Sequence, residues 1–153
     1  MQHTRILMTA DPLGEAWVYV MELCAALGAW NCDIVLATTG RFLTSSQVRE
    51  AARLPHVQLY ESAAKIDWLE HPHAALEQAS AWLLDLAQAT QPDVIHLNHY
   101  LQGDLAWPAP VLMTVHSCLL AWWQAVKGKL VPTEWNTYRR RVGGSLHSAD
   151  LVI

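Results

Sequence analysis

Charge is scarce in this chain, and positive charge scarcest of all. Only 16% of the 153 residues are Asp, Glu, Lys or Arg, and the formal net charge is −4. Apart from Arg139, Arg140 and Arg141, the ten Lys and Arg form no cluster. A nucleic-acid binder neutralises phosphates with a basic footprint, so nucleic acid is not an expected partner. Cysteine is sparse too: Cys24, Cys32 and Cys118 are an odd, scattered set without a CxxC pair. That pattern excludes a disulfide framework and a cysteine zinc site, and points to a reducing, cytoplasmic setting. A secretory leader is lacking, because the apolar run after Arg5 is short and stops at Asp11. The GxGxxG fingerprint of dinucleotide binding is absent as well. The longest uncharged stretch, residues 105–126, has 22 residues, enough to cross a bilayer. It holds Pro108, Pro110, His116, Ser117 and Gln124, so a strand followed by a helix accounts for it better. Membrane association is expected to be peripheral at most.

What remains is a compact, apolar chain of single-domain size. Hydrophobic residues make up 52%, with eight Trp, a residue that serves cores, interfaces and ligand clefts alike. Short apolar runs at residues 5–10, 32–38, 57–60, 94–97 and 111–115 predict strands, and residues 150–153 open a sixth. Between them lie helical patterns. Ala16, Tyr19, Val20, Leu23, Ala26 and Leu27 predict a first helix closed by Gly28. Ser45 or Ser46 caps a second running to about Arg53. Leu76, Ala79, Leu83 and Leu86 stripe a third over residues 73–90. Residues 118–126 predict a fourth, ended by Gly128, and Thr133 caps a fifth carrying Trp135, Tyr138, Val142 and Leu146 on one face. Gly143 and Gly144 inside that helix call for a close packing partner, since each costs about 1 kcal/mol against Ala. Residues 62–72 read as an ordered loop anchored by Trp68. The alternation predicts an α/β fold: a doubly wound, mostly parallel, Rossmann-like sheet in three αβα layers, forming one domain over residues 1–153.

In such sheets ligands bind beyond the carboxyl ends of the strands. Two neighbouring runs end there in polar groups: Asn98, His99 and Tyr100 after the fourth, His116 and Ser117 after the fifth. His116 could bond a hydroxyl or phosphate or move a proton, or it could be a satisfied histidine beside the sheet. The turn from Asp11 to Gly14 could admit an anion to a helix start, or it could be a plain turn. His96, His99 and His116 do not make a metal set: the first two point to different strand faces, and no Cys or carboxylate completes them. Ser117 and Cys118 lack the partners of a nucleophile. Arg139–Arg141 read as a solvated helix face or a phosphate patch.

Several segments together, RILMTADPLGEAWVYVMELCAAL, CDIVLATTG, PDVIHLNHY, APVLMTVHS and WNTYRRRV…ADLVI, resemble the amino-terminal domain of family 4 glycosyltransferases of the GT-B type. The resemblance runs from Arg5 to Ile153. It implies the acceptor-binding half of a retaining, nucleotide-sugar-dependent glycosyltransferase, with the active site in a cleft shared with a carboxyl-terminal donor domain. It implies a carbohydrate or other glycosyl acceptor as partner and no cofactor or essential metal, the nucleotide sugar being a substrate. By position His116 is the catalytic-cleft histidine beside the donor sugar. Gly14, with Asp11 and Ser117, faces the donor phosphates, and Asn98, His99 and Tyr100 face the acceptor. The family's first loop carries two adjacent glycines, whereas here Glu15 follows Gly14, and the donor-gripping residues would lie past residue 153. Turnover by the chain alone is therefore not expected, and the cleft face around His116, Trp107 and Trp122 should be uncovered. The alternatives are a non-catalytic partner module of this fold and a flavodoxin-like small-molecule binder.

Overall fold

A computed structural model describes residues 3–62, 72–116 and 118–153. The expected loop around Trp68 lies outside these residues. Six strands form one all-parallel sheet: β1 (Thr4–Ala10), β2 (Cys32–Thr38), β3 (Val57–Glu61), β4 (Val94–Leu97), β5 (Val111–Met113) and β6 (Leu151–Val152). Their spatial order is β3-β2-β1-β4-β5-β6. The helices are α1 (Gly14–Gly28), α2 (Ser45–Ala51), α3 (Pro72–Thr90), α4 (Leu119–Lys127) and α5 (Asn136–Ser148), with a 3-10 turn at Thr133–Trp135.

Alternation along the strands sorts side chains into two cores. Ile6, Met8, Ile34 and Leu36 point to one face and pack on Trp17, Val20, Met21 and Cys24 of α1 and Ala51 of α2. Leu7, Val35, Ile95, Leu97, Val111 and Met113 point to the other, against Leu76, Leu83 and Leu86 of α3 and Val142 of α5. The predicted stripe of α3 is thus the buried one. Winding runs outward from β1 through β2 to β3, then returns through α3 to β4. This reversal opens a crevice above the carboxyl ends of β1 and β4.

Local differences from the sequence reading have physical causes. Thr44, not Ser45 or Ser46, caps α2: its hydroxyl accepts from the Gln47 N–H, and the Gln47 side chain reaches back to the Thr44 N–H. Thr133 opens the 3-10 turn instead of capping α5, which starts at Asn136. Gly28 closes α1 as expected, but it serves packing, since a Cβ there would collide with the His56 ring; left-handed backbone falls instead on Asn31, at φ 58°. A Cβ at Gly143 would meet nothing within 4 Å. A Cβ at Gly144 would be in ordinary contact with Asp104 Oδ2 at 3.5 Å, and the tightest approach to α5 is made at the next residue, where Gly103 sits against Ser145. Trp107 packs against the core beneath α3 and donates its indole N–H to the Gln102 carbonyl (2.7 Å), so of the expected uncovered pair only Trp122 is exposed.

Candidate functional site

The site grows from Thr9, a polar residue inside the first strand with no exposed surface. Asn98 follows β4 immediately and straps that strand to β1. Its backbone N–H donates to Thr9 Oγ1 and its amide Nδ2 donates to the Thr9 carbonyl, both at 2.9 Å. With Nδ2 committed to a carbonyl, Asn98 Oδ1 must be the atom facing His116 Nε2 at 3.1 Å. A carboxamide oxygen only accepts, so His116 donates from Nε2 and its neutral form keeps the lone pair on Nδ1. Tyr19 of α1 stacks edge-to-face on that ring, with centroids 4.9 Å apart and planes at 75°. Tyr100 closes the arrangement from below: its buried hydroxyl donates to the His116 carbonyl at 2.8 Å. Burial, and secondarily the neighbouring Cys118, pushes the Tyr100 phenol up from its usual pKa, so it stays a protonated donor.

His96 stands beside this group, its Nε2 bonded to Thr114 Oγ1 at 2.7 Å. Burial first, and His116 second, lower its pKa to about 4, so it is neutral near pH 7. His99 points elsewhere. Both its ring nitrogens are buried without a hydrogen-bond partner, and burial holds it at about 4 as well. Across the crevice Asp11 is exposed and its Oδ1 accepts from the Leu13 N–H at 2.9 Å, shaping the entry to α1. Gly14 adopts φ +62° with nothing within 4 Å of a notional Cβ, so backbone conformation requires the glycine there, not crowding. Leu13 offers α1 no side-chain cap, leaving first-turn N–H groups unpaired at the crevice rim. Ser117 lies outside the described residues.

Of the residues singled out from sequence, Asn98, Tyr100 and His116 are brought into one hydrogen-bonded group. Asp11 lies in the turn between β1 and α1, Gly14 opens α1, and His99 turns inward. Two contributors were missed. Thr9 was legible as a hydroxyl in an otherwise apolar run; Tyr19 was absorbed into the apolar stripe of α1, although it is only half-buried. Among the described residues, no three His, Cys, Asp or Glu side chains are gathered as metal ligands. Two surface cavities of about 290 Å³, one between α1 and α2 and one between α3 and residues 106–108, lie away from His116. The arrangement can accept a proton or hydroxyl hydrogen at His116 Nδ1, orient it through Asn98, and hold an anion at the start of α1.

The doubly wound parallel sheet, with polar groups gathered at its switch point, is a Rossmann-like fold of the GT-B kind. The chain belongs to glycosyltransferase family 4: the family model matches residues 16–153. Among solved structures it is similar to UGT73P12 of Glycyrrhiza uralensis, complexed with glycyrrhetinic acid 3-O-monoglucuronide. That match has 10% identity and a TM-score of 0.65, and it covers 99% of this chain and 43% of that one. MurG of Acinetobacter baumannii matches at 15% identity and TM-score 0.56, over 82% of this chain and 39% of that one. CalG4, the calicheamicin glycosyltransferase, matches at 16% and 0.55, over 98% and 42%. The chain thus spans about two fifths of the length of each neighbour. No curated protein matches its sequence.

Proposed function

We propose that this chain is the acceptor-binding half of a retaining glycosyltransferase that draws its sugar from a nucleotide-sugar donor. The observation that carries the reading is the convergence of Asn98, Tyr100 and His116 above the switch between β1 and β4. His116 lines the donor-sugar site and meets a sugar hydroxyl through Nδ1, while Asn98 fixes the ring and Tyr100 fixes its backbone. Asp11, Gly14 and Ser117 border the donor phosphates, and the unpaired N–H groups of α1 favour negative charge there. The glycosyl acceptor lies over the loop of Asn98, His99 and Tyr100. No metal or cofactor takes part beyond the donor, and the reaction is cytoplasmic. A second Rossmann-like domain completes the cleft. Membership of family 4 and the two-fifths coverage of each neighbour support that division of labour.

The test is nucleoside-diphosphate release from a panel of UDP- and GDP-sugars by the complete gene product, compared with its His116→Ala variant. Losing one buried, oriented hydrogen bond to a reacting sugar lowers kcat/KM by about tenfold or more. Wild-type turnover in His116→Ala, with an unchanged fold by circular dichroism, would refute the assignment. Turnover by residues 1–153 alone would refute the shared cleft.

A further inference from the structure

The bond between Asn98 and His116 leaves one rotation of the imidazole nearly free. It fixes which ring nitrogen carries the hydrogen and which way round the ring lies, since Nε2 is the atom that meets Asn98 Oδ1, at 3.1 Å. It does little to fix the ring plane. Nε2 sits close to the extension of the Cβ–Cγ bond, so turning the ring about that bond barely moves it. Nδ1 sits well off that line and swings with every turn. The torsion concerned joins an sp³ to an sp² carbon and has only a broad preference of its own. The Tyr100 hydroxyl reaches the His116 carbonyl, so it holds the backbone and not the plane. The atom with the free lone pair is therefore the one that these two bonds aim least.

Tyr19 supplies the missing restraint. Its ring meets the imidazole edge-to-face, with centroids 4.9 Å apart and planes at 75°, an arrangement that aromatic quadrupoles favour. A turn of the imidazole about Cβ–Cγ changes that angle directly. The contact is not part of covering the sheet: β4 lies between β1 and β5, so a side chain of α1 reaches across the crevice to the segment beyond β5. Tyr19 is half-buried, and among the described residues its hydroxyl has no hydrogen-bond partner, so the ring makes the contact. The platform beneath it is rigid. Trp17, Val20, Met21 and Cys24 bury α1 in the core on either side of Tyr19, and the Trp17 indole N–H donates to the Glu50 carboxylate of α2 at 2.8 Å.

We propose, resting on the role given to His116 above, that Tyr19 is the positioning residue of this site: its ring sets the rotation of the imidazole and so the direction of the Nδ1 lone pair. Misplacing a reacting group by about 1 Å costs up to about a hundredfold in rate, and a turn of the imidazole moves Nδ1 without breaking either hydrogen bond. Tyr19 acts through the histidine and does not touch the sugar. Its loss therefore falls on kcat and leaves KM nearly unchanged.

Tyr19→Leu and Tyr19→Phe in the complete gene product test it, each alone and combined with His116→Ala. Nucleoside-diphosphate release gives kcat and KM, and a crystal structure of each single variant gives the His116 ring plane. Tyr19→Leu keeps an apolar side chain against the core but no aromatic ring. It is expected to lower kcat about tenfold and to turn the His116 ring while the Asn98 and Tyr100 bonds remain. Tyr19→Phe should retain most of the turnover and the wild-type ring plane. In the His116→Ala background Tyr19→Leu should cost nothing further, because a residue acting through another loses its effect with it. An unchanged ring plane in Tyr19→Leu overturns the proposal whatever the turnover, as does unchanged turnover where His116→Ala is impaired. So does an equal loss in Tyr19→Phe, which would give the hydroxyl its own contact with substrate. So does an undiminished loss in the His116→Ala background, the mark of a merely structural role. If His116→Ala itself keeps wild-type turnover, the function proposed above falls, and the ring plane alone decides the role of Tyr19.

Discussion

Replacing Gly103 by Ala tests how the loop carrying Asn98 and Tyr100 is held. A Cβ at this position would lie 2.6 Å from Met113 Cε, 2.7 Å from the Ser145 carbonyl oxygen and 2.9 Å from Ser145 Cα. The methionine methyl can swing away, but the other two atoms belong to the backbone of α5. The loop must therefore lift. Lifting breaks the bond from the Gly103 N–H to Ser145 Oγ, 3.0 Å long and buried between two residues with almost no exposed surface. Overpacking a rigid contact costs about 1–3 kcal/mol, and a buried donor left without its acceptor about 1–3 kcal/mol more. The expected loss is about 2–6 kcal/mol, read as a shift of the urea midpoint at constant slope. Gly143→Ala is the control: it is helical, meets nothing within 4 Å, and should gain up to about 1 kcal/mol. If Gly103→Ala falls within about 0.5 kcal/mol of wild type, as unconstrained surface changes do, α5 does not pin the loop. If Gly143→Ala is the costly variant, the sequence expectation at that glycine was right and the packing described above is wrong.

Three further outcomes are expected. The depressed pKa of His96 makes stability pH-dependent: its folded value of about 4 lies below the ordinary 6.5, so the unfolded state binds the proton more readily. Stability is complete above about pH 6.5 and is lost as pH falls towards 4, by about 2 kcal/mol between pH 7 and 5; an equal loss in His96→Asn would dismiss this histidine as the cause. Thr44→Ala removes the hydroxyl half of the α2 capping box, leaving the bond from its backbone N–H to the Gln47 side chain, and should cost about 1 kcal/mol in urea, whereas no change would mean that the hydroxyl adds nothing to α2. His99→Leu exchanges two buried, unpartnered nitrogens for a side chain that needs none, so it should hold or raise stability; a fall of more than about 1 kcal/mol would reveal a bond to the ring.

The sheet was legible because its strands are buried on both faces and so appear as unbroken apolar runs. Residues 32–38 and 94–97 matched β2 and β4 at both ends. Strand β5 was read two residues long because Thr114 and Val115 still bond to neighbouring strands, through Leu97 and Ile153, after the regular ladder ends. Caps were read less well. The choice among Thr44, Ser45 and Ser46 depends on which residue leaves helical backbone first, and three adjacent hydroxyls carry no such information. Glycine packing was misplaced from Gly103 to Gly143–Gly144 because the partner is 42 residues away from Gly103 in sequence. At the site, Asn98, Tyr100 and His116 could be found because strand ends are where apolar runs turn polar. Their pairing, and the inward turn of His99 between two residues that face the crevice, depend on loop backbone that no periodicity describes.

The position of the site follows from the one connection that lacks a helix. Helices α1 and α2 cover one face of the sheet, and α3 and α5 the other, so most strand ends lead directly into a packed element. Strands β4 and β5 are instead joined by residues 98–110, which form turns and bends without a helix. That segment leaves β4 beside β1 at the winding reversal, where no crossover occupies the edge. Freed from helical spacing, consecutive residues can serve different ends. Asn98 straps β4 to Thr9 and orients His116, Tyr100 ties the loop to the backbone after β5, and Gly103 lodges against α5. These anchors reach three separate elements, and between the first two of them His99 is left buried without a partner. A loop fastened this firmly, at the expense of a buried polar ring, holds His116 in one tautomer and one orientation, as the role proposed for it requires.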